Sequence, residues 1–259
     1  MQSLKERFTV KSYESDRSGL FKLFSFMNHA QELAGAHAIK LGFGYDDLIK
    51  SGNVWILSRF HAKFFRIPKW REELEMETWH KGNDKLFGYR DFLVTDSNGI
   101  EIITATSSWI IINSETRRIQ RIETVLNGEM REPMRKDAIK EPAARLTSPP
   151  DMTPAILKTV SLSDLDMNKH TNNAKYVEWA LDVIKPEIGF NMTVKEMWIN
   201  FNNESLLGEQ IQIFTNEITK NLTDDTFANY GGSGNYLESS FFVEGKRGNS
   251  SVFQFCMNF

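Results

Sequence analysis

Asp166, Asn168 and His170 stand at alternate positions in the stretch SLSDLDMNKHTNNAKYVEWALDVIKPEIGF, residues 161–190. His170 is the one histidine, of five, in the second half of the chain. A carboxylate, an amide and an imidazole can activate a water and hold a developing negative charge. Alternate residues of an extended segment point to one side, so the three can face a common site. A helix-like segment follows at once. Helix N-termini carry free N–H groups and the positive end of the dipole, which suits an oxyanion. A plainer reading fits the same residues: Asp166 and Asn168 cap a turn, and His170 is a satisfied surface group. The stretch alone leaves both open.

The elements around these residues are written twice. In the first half, ELEMETWH (73–80) sets Leu74, Met76 and Thr78 against Glu73, Glu75, Glu77 and Trp79, the period of a half-buried strand. LFGYRDFLVT, DSNG and IEIITATSSWIIIN read as a long hairpin turning at Asn98-Gly99. NVWILSRFHAKFFRIP is a strand closed by Pro68. Leu23, Met27, Ala30, Ala34, Ala38 and Leu41 recur at helical spacing. The second half repeats the order. PAILKTVSLSDLD is strand-like, and TNNAKYVEWALDVI is a helix with Thr171 or Asn172 as N-cap, stopping before Pro186. VKEMWINFNN, GEQIQIFTNEIT, YLESSFFVEG and SSVFQFCMNF follow as strands, and NYGGSGN (229–235) is a Gly-rich hairpin loop.

Laying the halves over each other sets FTV at 8–10 on KTV at 158–160, and Asp16 on Asp166. Farther on, EELEM pairs with EQIQI, and Phe64 falls on Phe201. The first copy has Ser18, Leu20 and Ile67 where the second has Asn168, His170 and Glu204. A purely structural role would recur in both copies, so the second copy is expected to carry chemistry. The segment 119–151 joins 1–118 to 152–259. It holds Pro133, Pro142, Pro149 and Pro150, and a run of basic residues from Arg121 through Arg131 and Arg135 to Arg145 interleaved with acids. It reads as a solvated linker. Two copies of strand, helix and antiparallel strands make an α+β fold.

With 259 residues, 41% hydrophobic and 25% charged, the chain can bury a substantial core. A net charge of -3 gives no nucleic-acid signature. Cys256 stands alone, so no disulfide framework is possible. His29, His37, His61 and His80 lack zinc-ligand spacing, and neither metal nor cofactor is expected. MQSLKERFTVKSYESD has no signal-peptide core, and no apolar run reaches the length of a membrane span. A cytoplasmic location is expected, with the sequons at Asn191, Asn203, Asn221 and Asn249 read as chance.

DLDMNKHTNNAKYVEW resembles the active-site segment of the acyl-acyl-carrier-protein thioesterases of plants and bacteria. SYESDRSG with MNHAQE, SSWIIINSETRRI and FNNES resemble that family too, so the likeness runs nearly the whole length. It implies a tandem (double) hotdog fold, in which two long helices are each wrapped by a curved antiparallel sheet. It implies hydrolysis of a fatty acyl thioester to free acid and carrier thiol, with acyl carrier protein as partner and the protein a monomer or homodimer. The family's catalytic positions fall on Asp166, Asn168, His170 and Glu204. Plant members carry a cysteine after the glutamate, where this chain has Ser205. Ser205 lacks a nucleophile elbow, so direct attack by water is expected, with Glu204 as first choice of base and Asp166 second. The acyl chain is expected in the first copy, against Met27, Ala30, Ala34, Val54, Ile56 and Phe64. The rival readings are a hotdog acyl-coenzyme A thioesterase and a non-catalytic acyl-binding module.

Overall fold

The computed structural model describes residues 2–126, 134, 136–184, 193–219 and 239–259. The Gly-rich stretch at 229–235, Pro133, Pro186, Arg131, Arg135 and the sequons at Asn191 and Asn221 lie outside the described residues. The chain divides into two units, Met1–Ala143 and Ala144–Phe259.

The first unit runs β1 (Ser3–Thr9), α1 (Leu23–Leu41), α2 (Tyr45–Ile49), β2 (Asn53–Phe64), β3 (Glu73–Asn83), β4 (Phe87–Asp96), β5 (Glu101–Asn113), β6 (Ile119–Gln120) and α3 (Ile122–Val125). Its antiparallel sheet has the order β1-β3-β4-β5-β2, with β6 set against β5. Leu23, Met27, Ala30, Ala34 and Ala38 are buried along α1, as their spacing predicts. Phe26 of the same helix meets the rings of Phe60 and Phe64 on β2, at 6.0 and 5.8 Å. α1 stops at Gly42, whose φ of 84° lets the last turn close through Gly42 N–H to Ile39 and Phe43 N–H to Ala38.

The second unit runs β7 (Thr153–Thr159), α4 (Asn173–Asp182), β8 (Glu196–Phe201), β9 (Gln210–Thr219), β10 (Ser239–Arg247) and β11 (Ser250–Asn258). Its sheet order, β7-β9-β10-β11-β8, is that of the first unit with each strand replaced by its counterpart. Smaller features repeat as well. A 3-10 turn at Ser12–Glu14 has its counterpart at Leu162–Asp164. The bridges Ser15–Phe21 and Leu20–Lys69 recur as Leu165–Thr171 and His170–Leu206. The fold is α+β, a hotdog unit written twice. No helix among the described residues is long and apolar enough to cross a membrane.

The connecting segment differs from the solvated linker its charge suggests. Trp79, which the alternation along β3 sets on the polar side, is fully buried, because this segment covers it. Trp79 donates to the carbonyl of Lys136 at 2.7 Å, and the Lys136 ammonium sits 5.2 Å from its ring. Ile139 and Ala143 are buried in the first unit, and Leu146 is buried in the second. Leu146 joins Trp198, Phe242 and Cys256 in one cluster, and its N–H donates to Asn200 Oδ1 at 2.7 Å. A few apolar anchors hold a segment otherwise rich in charged and polar residues and prolines. If Leu146 is core, Leu146→Ala lowers stability by about 2–5 kcal/mol, the usual range for emptying such a site. Urea unfolding measures this; a loss below about 0.5 kcal/mol would make the segment a tether after all.

Candidate active site

The turn that enters α4 is shaped by Asp166. Asp166 N–H donates to the His170 carbonyl at 2.8 Å, and Lys169 N–H to the Asp166 carbonyl at 3.0 Å. Asp166 Oδ1 accepts from Asn168 N–H at 2.8 Å and from His170 N–H at 3.3 Å. Lys169 takes φ of 65° to complete the turn. Asp16 makes the same bonds, to Ser18 N–H at 2.7 Å and Leu20 N–H at 2.9 Å, with Gly19 at φ of 73°. Asp96 makes them again at the β4–β5 hairpin, to Asn98 and Ile100, with Gly99 at φ of 78°. Side-chain acceptance from the backbone two residues on is the habit of aspartate in turns. One oxygen of each of these aspartates is therefore committed to backbone.

The second loop follows β8. Asn202 and Asn203 N–H both donate to the Val252 carbonyl, at 2.8 and 3.0 Å, which fixes the chain just before Glu204. Glu209 Oε2 accepts from Leu206 N–H at 2.9 Å and pairs with Arg247 at 2.6 Å. Arg247 also donates to the Glu204 carbonyl at 3.3 Å. The loop meets the α4 turn through Thr171 N–H donating to the Ser205 carbonyl at 2.9 Å and through the His170–Leu206 bridge. The result is His170 Nε2 at 3.4 Å from Glu204 Oε2, with the two side chains 27% and 32% exposed. Both are shielded yet reachable from solvent. A contact of that length is loose for a hydrogen bond, and catalytic contacts often tighten only in the reacting complex. Asn168 is exposed two residues before His170 on the same turn.

The amides at the start of α4 are engaged, contrary to the sequence-based expectation of an open helix N-terminus. Asn172 is the N-cap and its Oδ1 accepts from Ala174 N–H at 2.9 Å. Thr171, Asn172 and Lys175 donate to Ser205, Asp164 and Asn172 carbonyls. Ser205 is fully buried, its hydroxyl 2.7 Å from Thr171 Oγ1 and 2.8 Å from the Tyr176 hydroxyl. Burial raises the Tyr176 phenol and pushes the Cys256 thiol up to about 12.

The residues expected to line an acyl chain divide. Met27, Ala30, Ala34 and Phe64 are buried in the first unit. Val54 and Ile56 are only half-buried, and pleating turns them to the face of β2 opposite Trp55 and Leu57. A bulge between Leu57 and Arg59 shifts the phase, so that Phe60, Ala62 and Phe64 continue the Leu57 face. Arg90, beside His37 at 2.8 Å and Thr78 at 3.2 Å, is a charged group on that inner face which the sequence reading missed. Burial lowers Arg90 to about 10 and, with Arg90 adding, His80 to about 4. A basic residue amid alternating apolar positions carries no pattern signal of its own.

Comparison with known proteins bears on the family and the fold. The family model of the acyl-ACP thioesterase N-terminal domain matches residues 1–129, and that of the C-terminal domain matches residues 155–250. The chain is 28% identical to oleoyl-acyl carrier protein thioesterase 2, chloroplastic, of Arabidopsis thaliana, over 92% of this chain and 71% of that one. It is 33% identical to palmitoyl-acyl carrier protein thioesterase, chloroplastic, of the same plant, over 77% of this chain and 52% of that one. It thus spans between about half and seven-tenths of these relatives' lengths. Among solved structures, an acyl-ACP thioesterase from Bacteroides thetaiotaomicron is 26% identical with a TM-score of 0.79, covering 99% of this chain and 97% of that one. The 12:0-ACP thioesterase from Umbellularia californica shares the fold at 23% identity, with a TM-score of 0.80 over 99% and 96% of the two chains. The two family models together span most of the chain, which therefore belongs to the acyl-ACP thioesterase family.

Proposed function

We propose that the chain hydrolyses the thioester of fatty acyl-acyl carrier protein, releasing a free fatty acid, by direct attack of water. The observation that carries this reading is the His170–Glu204 contact in the second unit alone, where the first has Leu20 and Ile67 at the matching positions. Glu204 takes a proton from the water as its oxygen bonds to the thioester carbon. The carbonyl oxygen becomes an oxyanion, which His170 and Asn168 meet with hydrogen bonds. Collapse of that intermediate breaks the carbon–sulfur bond, and the proton passes to the leaving thiolate. Each donor to the oxyanion is worth about 2.7–4 kcal/mol. A buried Ser205, hydrogen-bonded on both sides, supports water rather than serine as the nucleophile.

Asp166 is a positioning residue in this reading, since its Oδ1 closes the turn that presents Asn168 and His170. The acyl chain lies along Met27, Ala30 and Ala34 of α1 and the Phe64 face of β2, with Val54 and Ile56 outside its path. The polar pair His37–Arg90 limits that apolar face. The partner is acyl carrier protein, the protein a monomer or homodimer, and the product a fatty acid withdrawn from carrier-bound synthesis. A reducing compartment such as the cytoplasm suits the buried thiol of Cys256.

Side-by-side turnover on fatty acyl-carrier-protein and acyl-coenzyme A thioesters tests the assignment: the carrier-bound substrates are expected to be hydrolysed faster, and a preference for coenzyme A would overturn it. Glu204→Gln is expected to lower kcat by roughly 10²–10⁴-fold with the fold intact; a near-normal rate would remove Glu204 as base. Asp166→Asn keeps the Oδ1 acceptor and is expected to retain most activity, whereas Asp166→Ala loses the turn and with it most of kcat. Equal, severe losses in both would return Asp166 to the list of bases. Ala34→Leu narrows the proposed chain path, so a panel of chain lengths should shift toward shorter substrates; an unchanged ranking would put the acyl chain elsewhere.

A further inference from the structure

Three hydroxyls lie directly behind the His170–Glu204 pair, and no step of the proposed reaction uses them. Thr171 follows His170, Ser205 follows Glu204, and Tyr176 stands one helical turn farther along α4. Thr171 Oγ1 is 2.7 Å from Ser205 Oγ and also donates to the Ser205 carbonyl at 3.2 Å. The Tyr176 hydroxyl is 2.8 Å from the same Ser205 Oγ. Their relative exposures are 4%, 0% and 2%, so the network is buried. The Tyr176 ring is held on its flanks by Phe253 at 5.0 Å and Trp179 at 5.4 Å, which leaves the hydroxyl little freedom to wander.

The first unit supplies the control. At the positions matching Thr171, Tyr176 and Ser205 it has Phe21, Phe26 and Pro68. The loops there meet through the same backbone bond, Phe21 N–H to the Pro68 carbonyl, at 2.8 Å against 2.9 Å in the second unit. The fold therefore closes this junction in the first unit without a hydroxyl at any of the three positions. Burying hydroxyls instead gains little net stability, because each must give up water for its partner. What a satisfied network adds is direction: hydrogen bonds fix distance and angle, where apolar contacts tolerate sliding. A displacement of about 1 Å at a reacting group can lower a rate 10²-fold.

We propose that Thr171, Ser205 and Tyr176 form a positioning clamp that locks the register of His170 against Glu204. The proposal rests on the reading that this pair performs the chemistry. The clamp joins the residues next to each member of the pair, so slack in it becomes slack between imidazole and carboxylate. Each hydroxyl can be removed with little change of shape, through Tyr176→Phe or Thr171→Val, and Thr171→Ser keeps the hydroxyl.

The test is steady-state hydrolysis of a fatty acyl-carrier-protein thioester by the full chain, with melting temperature measured on each variant and Glu204→Gln run beside them. Tyr176→Phe and Thr171→Val are each expected to lower kcat by about 3–10-fold with KM within about twofold, and Thr171→Ser to restore kcat. Wild-type kcat in both hydroxyl-less variants, with Glu204→Gln impaired, would overturn the clamp and leave the proposed chemistry standing. Wild-type kcat in Glu204→Gln would overturn the chemistry, and the clamp with it. A kcat loss that Thr171→Ser fails to restore would also count against the clamp. If Thr171→Val is too unstable to assay, Tyr176→Phe, which keeps its ring packing, decides alone.

Discussion

One backbone hydrogen bond, from Thr171 N–H to the Ser205 carbonyl, sets the geometry on which the site depends. It joins the turn entering α4 to the loop leaving β8, segments more than thirty residues apart in sequence. Once it forms, residue 170 must lie beside residue 204. The same bond in the first unit, from Phe21 to Pro68, sets Leu20 and Ile67 at the matching positions. The hotdog unit thus makes a junction at one place, whatever side chains stand there. In one unit leucine and isoleucine occupy these positions; in the other histidine and glutamate do. The fold supplies proximity and the residues supply chemistry, so fold alone does not distinguish the two copies.

That division explains how the three turn aspartates are to be understood. Asp16, Asp96 and Asp166 all accept from two backbone N–H groups with one oxygen, and of these turns the last is the one that carries His170 to Glu204. A carboxylate that does the same work in a plain hairpin is first of all a shaping residue. Lys169, in the left-handed conformation that Gly19 and Gly99 occupy in the other two turns, is the one departure. A lysine there is strained by about 1–2 kcal/mol relative to glycine. The turn tolerates it because four hydrogen bonds hold the backbone in place.

Much of this was legible in the sequence. The alternation of Leu74, Met76 and Thr78, the turn at Asn98-Gly99 and the helical spacing from Leu23 to Ala38 all reflect burial on one face, and they appear as read. The matching of Asp16 with Asp166 and of Ile67 with Glu204 survives as matched hydrogen bonds and bridges. Other features were hidden for physical reasons. A bulge near Ser58 inserts one residue and reverses the facing of what precedes it, which separates Val54 and Ile56 from Phe64. The connecting segment is held by isolated apolar anchors, Ile139, Ala143 and Leu146, too sparse to make a period. The hydroxyl network is spread over Thr171, Tyr176 and Ser205, unremarkable singly; comparing the two copies at Phe21, Phe26 and Pro68 is the signal that finds it.

In the proposed reaction His170 and Glu204 act as one unit on the thioester. A double-mutant cycle on kcat with His170→Ala, Glu204→Gln and their combination tests it most directly, because residues that act as a unit are strongly non-additive. The double variant is expected to be about as slow as the slower single variant. Losses that multiply in full would contradict it and make the two residues independent contributors.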